Sequence, residues 1–186
     1  MSGWWLVASA FAQDPHDALR RVKADLERAM NARDLDGILA HAHPDVVFTT
    51  MNGDVARGRE GVRAYFAKMM TDPGHVVASI DARFDADELS ILHGGDTAVS
   101  WGTSRGHYVL TDGTAFDVDA RWSATLVQTD ADPPDWTVAS FHYSTDLWDN
   151  PVLAATQRWA AIGAGLAGVL GVALGTALGF VFGRRR

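Results

Sequence analysis

Residues 159–182, WAAIGAGLAGVLGVALGTALGFVF, carry no charged side chain. As a helix at ~1.5 Å per residue the stretch is about 36 Å long, against about 30 Å for the hydrocarbon core of a bilayer. Seven glycines between Gly163 and Gly183 would weaken that helix in water, by roughly 1 kcal/mol each relative to alanine. In lipid the cost of unpaired backbone groups outweighs glycine's entropy and the helix persists. The stretch therefore reads as a transmembrane helix, with the preceding chain as a tethered domain. Ala167, Gly171, Gly175, Gly179 and Gly183 recur every four residues, which lines small residues along one face where a second backbone can approach. Self-association through that face is the expectation, and a glycine-rich anchor without a fixed partner is the plainer alternative. Arg184, Arg185 and Arg186 follow the stretch, while Arg158 is the one base just before it. The positive-inside rule then puts residues 183–186 in the cytoplasm and the domain on the far side, periplasmic or extracellular.

The formal charge of −7 over 186 residues is unevenly spread. Residues 158–186 hold four of the 16 bases and no acid, so the remainder carries 12 bases against 23 acids. Such an acidic body disfavours nucleic acid as a partner. There is no cysteine, hence no disulfide framework and no thiol chemistry. Residues 1–12, MSGWWLVASAFA, are uncharged and end in Ala10-Phe11-Ala12, which resembles a signal-peptide cleavage site although a basic start is missing. They read as a signal remnant or, alternatively, as a short arm on the domain.

The domain is expected over residues 14–147, with 148–158 as linker. Asp14-Pro15 opens a helix, since Asp caps and Pro suits the first position. Leu19, Val22, Leu26, Ala29 and Met30 follow at helical spacing. A shorter helix is expected over 35–41, stopped by Pro44. Residues 46–50, VVFTT, read as a strand before the Asn52-Gly53 turn. A third helix is expected over 59–70, with Val62, Tyr65, Phe66 and Met69 as its buried stripe. Strands then follow over 76–84, 89–92, 97–103, 106–110, 116–126 and 136–145. Within 116–126 an apolar set from Phe116 to Leu126 alternates with a polar one from Asp117 to Thr125, as in an antiparallel sheet covered on one side. The fold class is α+β: three N-terminal helices packed on one face of a curved antiparallel sheet.

Three local patterns, Ala32-Arg33-Asp34-Leu35-Asp36, His43-Pro44-Asp45-Val46 and Arg57-Gly58-Arg59-Glu60-Gly61, with Trp136 and His142-Tyr143-Ser144 at the far end, resemble the SnoaL-like branch of the nuclear transport factor 2-like superfamily. The resemblance covers about residues 15–147. It implies a cone, a bent sheet wrapping helices with a pocket in its mouth, in a family whose members include isomerases, cyclases, dehydratases and modules that only bind or dimerise. Fold alone does not choose among these. In the steroid-isomerase relatives the base is an aspartate, and the matching position is Thr50. A hydroxyl at its ordinary pKa does not replace a carboxylate as general base. The acidic hydrogen-bond donor of those enzymes aligns near Ser123, so it too is missing.

Other candidates come from the residues themselves. His142 and Ser144 share one face of the last strand, and a histidine can exchange protons near neutrality; a half-buried, hydrogen-bonded histidine is the plainer reading. Arg121 could orient a ligand carboxylate or pair across the sheet. Asp117 and Asp119, two apart, could meet and share a proton or be merely solvated. Trp101, Tyr108 and Trp122 could line a pocket for an apolar or aromatic ligand or serve as core. Gly102 and Gly106 could mark a bulge. No cofactor and no metal are expected: the histidines lack ligand spacing and no phosphate loop is present. Three functions remain: binding of a small apolar molecule, proton transfer or hydration by His142 with Arg121 or Asp119, and self-association.

Overall fold

The computed structural model of the chain describes residues 14–131, 134–146 and 148. The chain divides into two units, Met1–Thr145 and Asp146–Arg186. The apolar stretch 159–182 with Gly171, Gly175 and Gly179, the tail 183–186, the linker apart from Trp148, and residues 1–12 lie outside the described residues. Among the described residues no helix is long and apolar enough to cross a membrane.

The first unit is α+β, with helices on one face of a curved sheet. Helix α1 (Pro15–Asn31) starts where the Asp14 carboxylate accepts from the His16 N–H at 2.9 Å. It buries Leu19, Val22 and Ala29. Arg33, in the left-handed region at φ 55°, turns the chain, and Asp34 caps α2 (Leu35–Ala40) by accepting from the Gly37 N–H at 3.0 Å. Strands β1 (Ala42–Thr49) and β2 (Val55–Arg57) form a hairpin through Gly53. Helix α3 (Gly58–Phe66) follows and widens into a π-helical turn, Ala67–Thr71. Then come β3 (Val77–Ala86), β4 (Ile91–His93), β5 (Thr97–Leu110), β6 (Ala115–Gln128) and β7 (Trp136–Thr145). The sheet order is β2-β1-β7-β6-β5-β3, with β4 paired to β5.

Several expectations need correction. The sheet is mixed rather than antiparallel throughout, because β7 enters beside β1 and runs parallel to it. Strand β1 begins at Ala42, before Pro44. Its register with β7 shifts between Ala42 and Val47, so the proline falls where the ladder is interrupted and no bond is forfeited. Strands expected over 97–103 and 106–110 are one strand, β5, and β2 was not expected. The third helix is α-helical only to Phe66. Gly102 and Gly106 mark no bulge: β5 runs in unbroken register with β3 from Gly102 to Val109. Gly102 is a close approach, since a Cβ there would lie 1.9 Å from the Asp85 carbonyl oxygen and 2.8 Å from the Trp122 ring. At Gly106 the Tyr108 ring occupies the space.

The outer edge of β3 is closed by α1. Asn31 donates to the Ala82 carbonyl and accepts from the Ala82 N–H, both at 2.8 Å. Glu27 accepts from the Phe84 N–H at 2.8 Å. These side chains do for an edge strand what a neighbouring strand would do, and so block intermolecular pairing. Asn31→Ala is expected to cost about 2 kcal/mol, because both Ala82 backbone groups lose their partner. An unchanged urea midpoint would show that water satisfies that edge.

Candidate functional site

The strand phase sets two faces. Alternate residues of β6, namely Val118, Ala120, Trp122, Ala124 and Leu126, are buried against the helices. Trp136, 1 % exposed, is the largest fully buried side chain. On this inner face stands a group of rings. Phe141 packs against Phe48, Phe84, Trp122 and Tyr143, with centroids 5.8–6.3 Å apart. Phe48 meets Tyr65 of α3 edge-on at 5.6 Å, and Tyr108 stacks on Phe116 at 5.8 Å. Phe48, Tyr65, Tyr108, Phe116 and Phe141 are only partly buried although they pack on the core. Phe141 sits in the middle of the ring group on a strand flanked by two others, with its ring packed on the core.

The polar groups of this interior are hydroxyls. All three tyrosines of the chain, Tyr65, Tyr108 and Tyr143, converge there. The buried Ser104 and Tyr143 hydroxyls are hydrogen-bonded at 2.6 Å. Thr50 is 3 % exposed. Thr50 donates to Asn52 Oδ1 and to the Asp54 carbonyl, the latter at 3.1 Å. Thr50, Ser104 and Thr137 are the buried polar residues among those described, with no carboxylate or histidine in that class. The Trp122 indole N–H is taken by the Thr103 carbonyl at 2.9 Å. Among the described residues no acid, histidine and cysteine group could hold a metal ion.

Burial pushes the Tyr65 and Tyr108 phenols above their ordinary pKa of 10.0. A group whose folded pKa is raised contributes stability that is complete below the unfolded pKa and lost as pH rises through the folded value. Stability should therefore decline from about pH 10 upward, and phenolate absorbance should appear together with unfolding. Two tyrosines ionising reversibly near pH 10 in a folded domain would contradict this burial.

The sequence candidates fall on both faces. Thr50 and Trp122 are buried, and Tyr108 is partly buried against the core. Trp101 is on the outer face, opposite Ser123. His142 is exposed and pairs with Thr49 and Ser123; Ser144, opposite Arg121, shares that face. Ser123 points outward, so it does not stand where an interior donor would. Arg121 pairs with Asp87 through both carboxylate oxygens. Asp117 and Asp119 are each engaged across the sheet. Asp117 bonds His107 at 2.8 Å and Asp119 bonds Arg105 at 2.7 Å, both cross-strand partners. The residues that sequence reasoning did not single out are Tyr65, Tyr143 and Ser104. Each is a hydroxyl in the inner phase of its helix or strand, and that phase was the available signal.

A family model described as the SnoaL-like domain matches residues 22–146. Among solved structures, a ketosteroid isomerase-like protein from Erwinia carotovora atroseptica is 13 % identical, with a TM-score of 0.63 over 72 % of this chain and 97 % of that one. An NTF2-like superfamily protein from Salmonella enterica serovar Typhimurium is 15 % identical, with a TM-score of 0.61 over 73 % and 94 %. A hexachlorocyclohexane dehydrochlorinase is 11 % identical, with a TM-score of 0.62 over 71 % and 85 %. No curated protein matches the chain.

Proposed function

The chain belongs to the SnoaL-like family, and from that premise we propose that its domain binds a small, largely apolar or aromatic molecule bearing an oxygen that accepts a hydrogen bond. One observation carries the reading: the Ser104 and Tyr143 hydroxyls join inside a wall of aromatic rings. Rings supply area and a few placed hydroxyls supply orientation, which is how small-molecule sites are built. The two hydroxyls of Ser104 and Tyr143 hold two protons, and the bond between them uses one. One O–H is left for a guest.

Catalysis is the weaker reading. Proton transfer needs a group that titrates near the working pH within reach of the guest. His142 and Asp119 are exposed on the other face, and the neutral phenols are held protonated. Relatives with enzyme names therefore lend the fold and not a reaction. The test is calorimetric titration of the detergent-solubilised full chain with 1-tetralone, an aromatic ketone, against tetralin, its hydrocarbon counterpart. The ketone is expected to bind saturably and about tenfold tighter, as one well-placed hydrogen bond in a dry site gives. No saturable binding of either removes the pocket.

The proposed address is a single-pass membrane anchor at 159–182 with the domain exported, supported by the uncharged stretch and the arginines after it. Recovery of the full chain in the soluble fraction after lysis would remove it. Self-association is a second proposed property. The glycine stripe through Gly171, Gly175 and Gly179 supports it, and so does one uncharged row across the outer face, Val55, Thr49, His142, Ser123 and Trp101. In an acidic domain such a row lets two copies approach without like-charge repulsion. Crosslinking unchanged by Gly175→Leu would remove the glycine part.

A further inference from the structure

We propose that Asn52 is a site of spontaneous deamidation that the folded β1–β2 hairpin holds closed, so that its conversion to an acid marks chains in which that hairpin has opened. The inference is independent of the binding reading above.

The chain has three asparagines, Asn31, Asn52 and Asn150. Deamidation needs the backbone nitrogen of the following residue to attack the asparagine Cγ. Asn150 precedes Pro151, which has no N–H to give up. Asn31 precedes Ala32, whose methyl crowds the attack, and its amide is engaged by both backbone groups of Ala82. Asn52 is exposed and precedes Gly53, so no side chain hinders the nitrogen. The turn itself requires that glycine, because Gly53 has φ 84°. The residue that lets the hairpin form is thus the one that makes Asn52 reactive. In the reaction the Gly53 nitrogen loses its proton to solvent base and bonds to Asn52 Cγ. The Cγ–Nδ2 bond breaks, and ammonia leaves with a proton from water. Water then opens the cyclic imide at either carbonyl, giving aspartate or isoaspartate. Water is consumed, ammonia is released, and nothing is oxidised.

The native geometry withholds each participant. The Gly53 N–H donates to the Thr50 carbonyl at 3.1 Å, so its proton is not free for base. The Asn52 amide is clamped at both ends. Its Oδ1 accepts from the hydroxyl of Thr50, a buried residue, and its Nδ2 donates to Asp54 Oδ2 at 3.1 Å. Lys68 Nζ donates to the same oxygen at 3.0 Å. That bond first, and the Asn52 bond after it, hold the Asp54 carboxyl below its ordinary range, so it stays an acceptor at neutral pH. Thr50 N–H to the Asp54 carbonyl at 3.0 Å and the pairing of Thr49 with Val55 close the frame. Bringing Cγ onto the Gly53 nitrogen breaks the clamp, so conversion waits on local opening. It also opposes reclosing. The product sets an oxygen where Nδ2 met the Asp54 carboxylate, and isoaspartate adds an atom to the backbone of the turn. Asp54 and Lys68 are positioning residues for this amide.

The test follows the amide-to-acid mass change at residue 52 by peptide mapping. Full chain in detergent is incubated in mildly alkaline buffer, beside the same chain unfolded in guanidinium chloride. The folded chain is expected to convert at least about tenfold more slowly. Asp54→Ala, at an exposed position, removes one end of the clamp and should speed conversion several-fold while circular dichroism shows the domain folded. Lys68→Met loosens Asp54 from outside the hairpin. It should give a smaller acceleration, and it carries the comparison should Asp54→Ala unfold. Equal rates in the folded and unfolded wild type, or a rate unchanged in a folded variant, overturn the proposal.

Discussion

Gly102→Ala is expected to lower the thermal midpoint of the domain by roughly 10 °C, a destabilisation of about 3 kcal/mol. The added methyl would sit 1.9 Å from the Asp85 carbonyl oxygen and 2.9 Å from the Ala86 Cα. Both are backbone atoms of β3, so no rotamer change relieves the clash. Either β3 parts from β5, breaking the pairing that runs from Ala86 to Val77, or β5 shifts and pushes on the Trp122 ring, 2.8 Å away on the other side. Trp122 stacks on Phe141 with rings 9° from parallel, and the disturbance would enter the ring group at its centre. Circular dichroism melts of the wild type and variant read the result. A loss under about 1 kcal/mol would mean that the two strands have slack at this point.

Tyr143→Phe is expected to weaken binding of 1-tetralone by about ten- to thirtyfold and to cost about 1–2 kcal/mol of stability. The two effects have separate causes. Stability falls because the Ser104 hydroxyl, 3 % exposed, loses the partner it holds at 2.6 Å. Binding falls because the Ser104–Tyr143 pair is cut and its surplus proton is no longer offered to the guest. Adding Ser104→Ala separates them: replacing both partners by apolar groups is close to neutral for folding, so the double variant should regain stability without regaining the ketone. If affinity recovers along with stability, the hydroxyls are structural and the guest does not touch them.

The alternation of β6 was legible in the sequence because a strand with one buried face shows a period of two. So were the Asp14-Pro15 start of α1 and the span of β7, where capping chemistry and β-branched composition agree. The family was legible from short patterns whose work proves structural. Arg33 ties the Ala78 carbonyl at 2.8 Å and the Met70 carbonyl; Asp34 caps α2, and Arg59 holds the Ala42 carbonyl by two bonds at 2.9 and 2.7 Å. Strand β2 escaped notice because three residues carry no period. The π-helical turn escaped because one extra residue in a helical turn leaves no mark on the apolar spacing; its Met69 and Met70 carbonyls accept from the Val76 N–H and from Arg33. For the site, His142 drew attention by residue type, yet its phase is that of Ser144 and opposite to that of Tyr143. Tyr65 sat in the buried stripe of its helix and read as core, and Tyr143 entered only as part of a family pattern. That the Tyr143 hydroxyl meets another is a fact of long-range pairing, since Ser104 and Tyr143 are 39 residues apart.

The central claim is that the ring-and-hydroxyl interior is a receptor. Native mass spectrometry of the full chain, released from detergent, tests it most directly. The wild type should retain a small-molecule adduct that the Tyr143→Phe, Ser104→Ala variant, equally folded, does not. A bare wild type, or an adduct carried equally by both proteins, would contradict the claim.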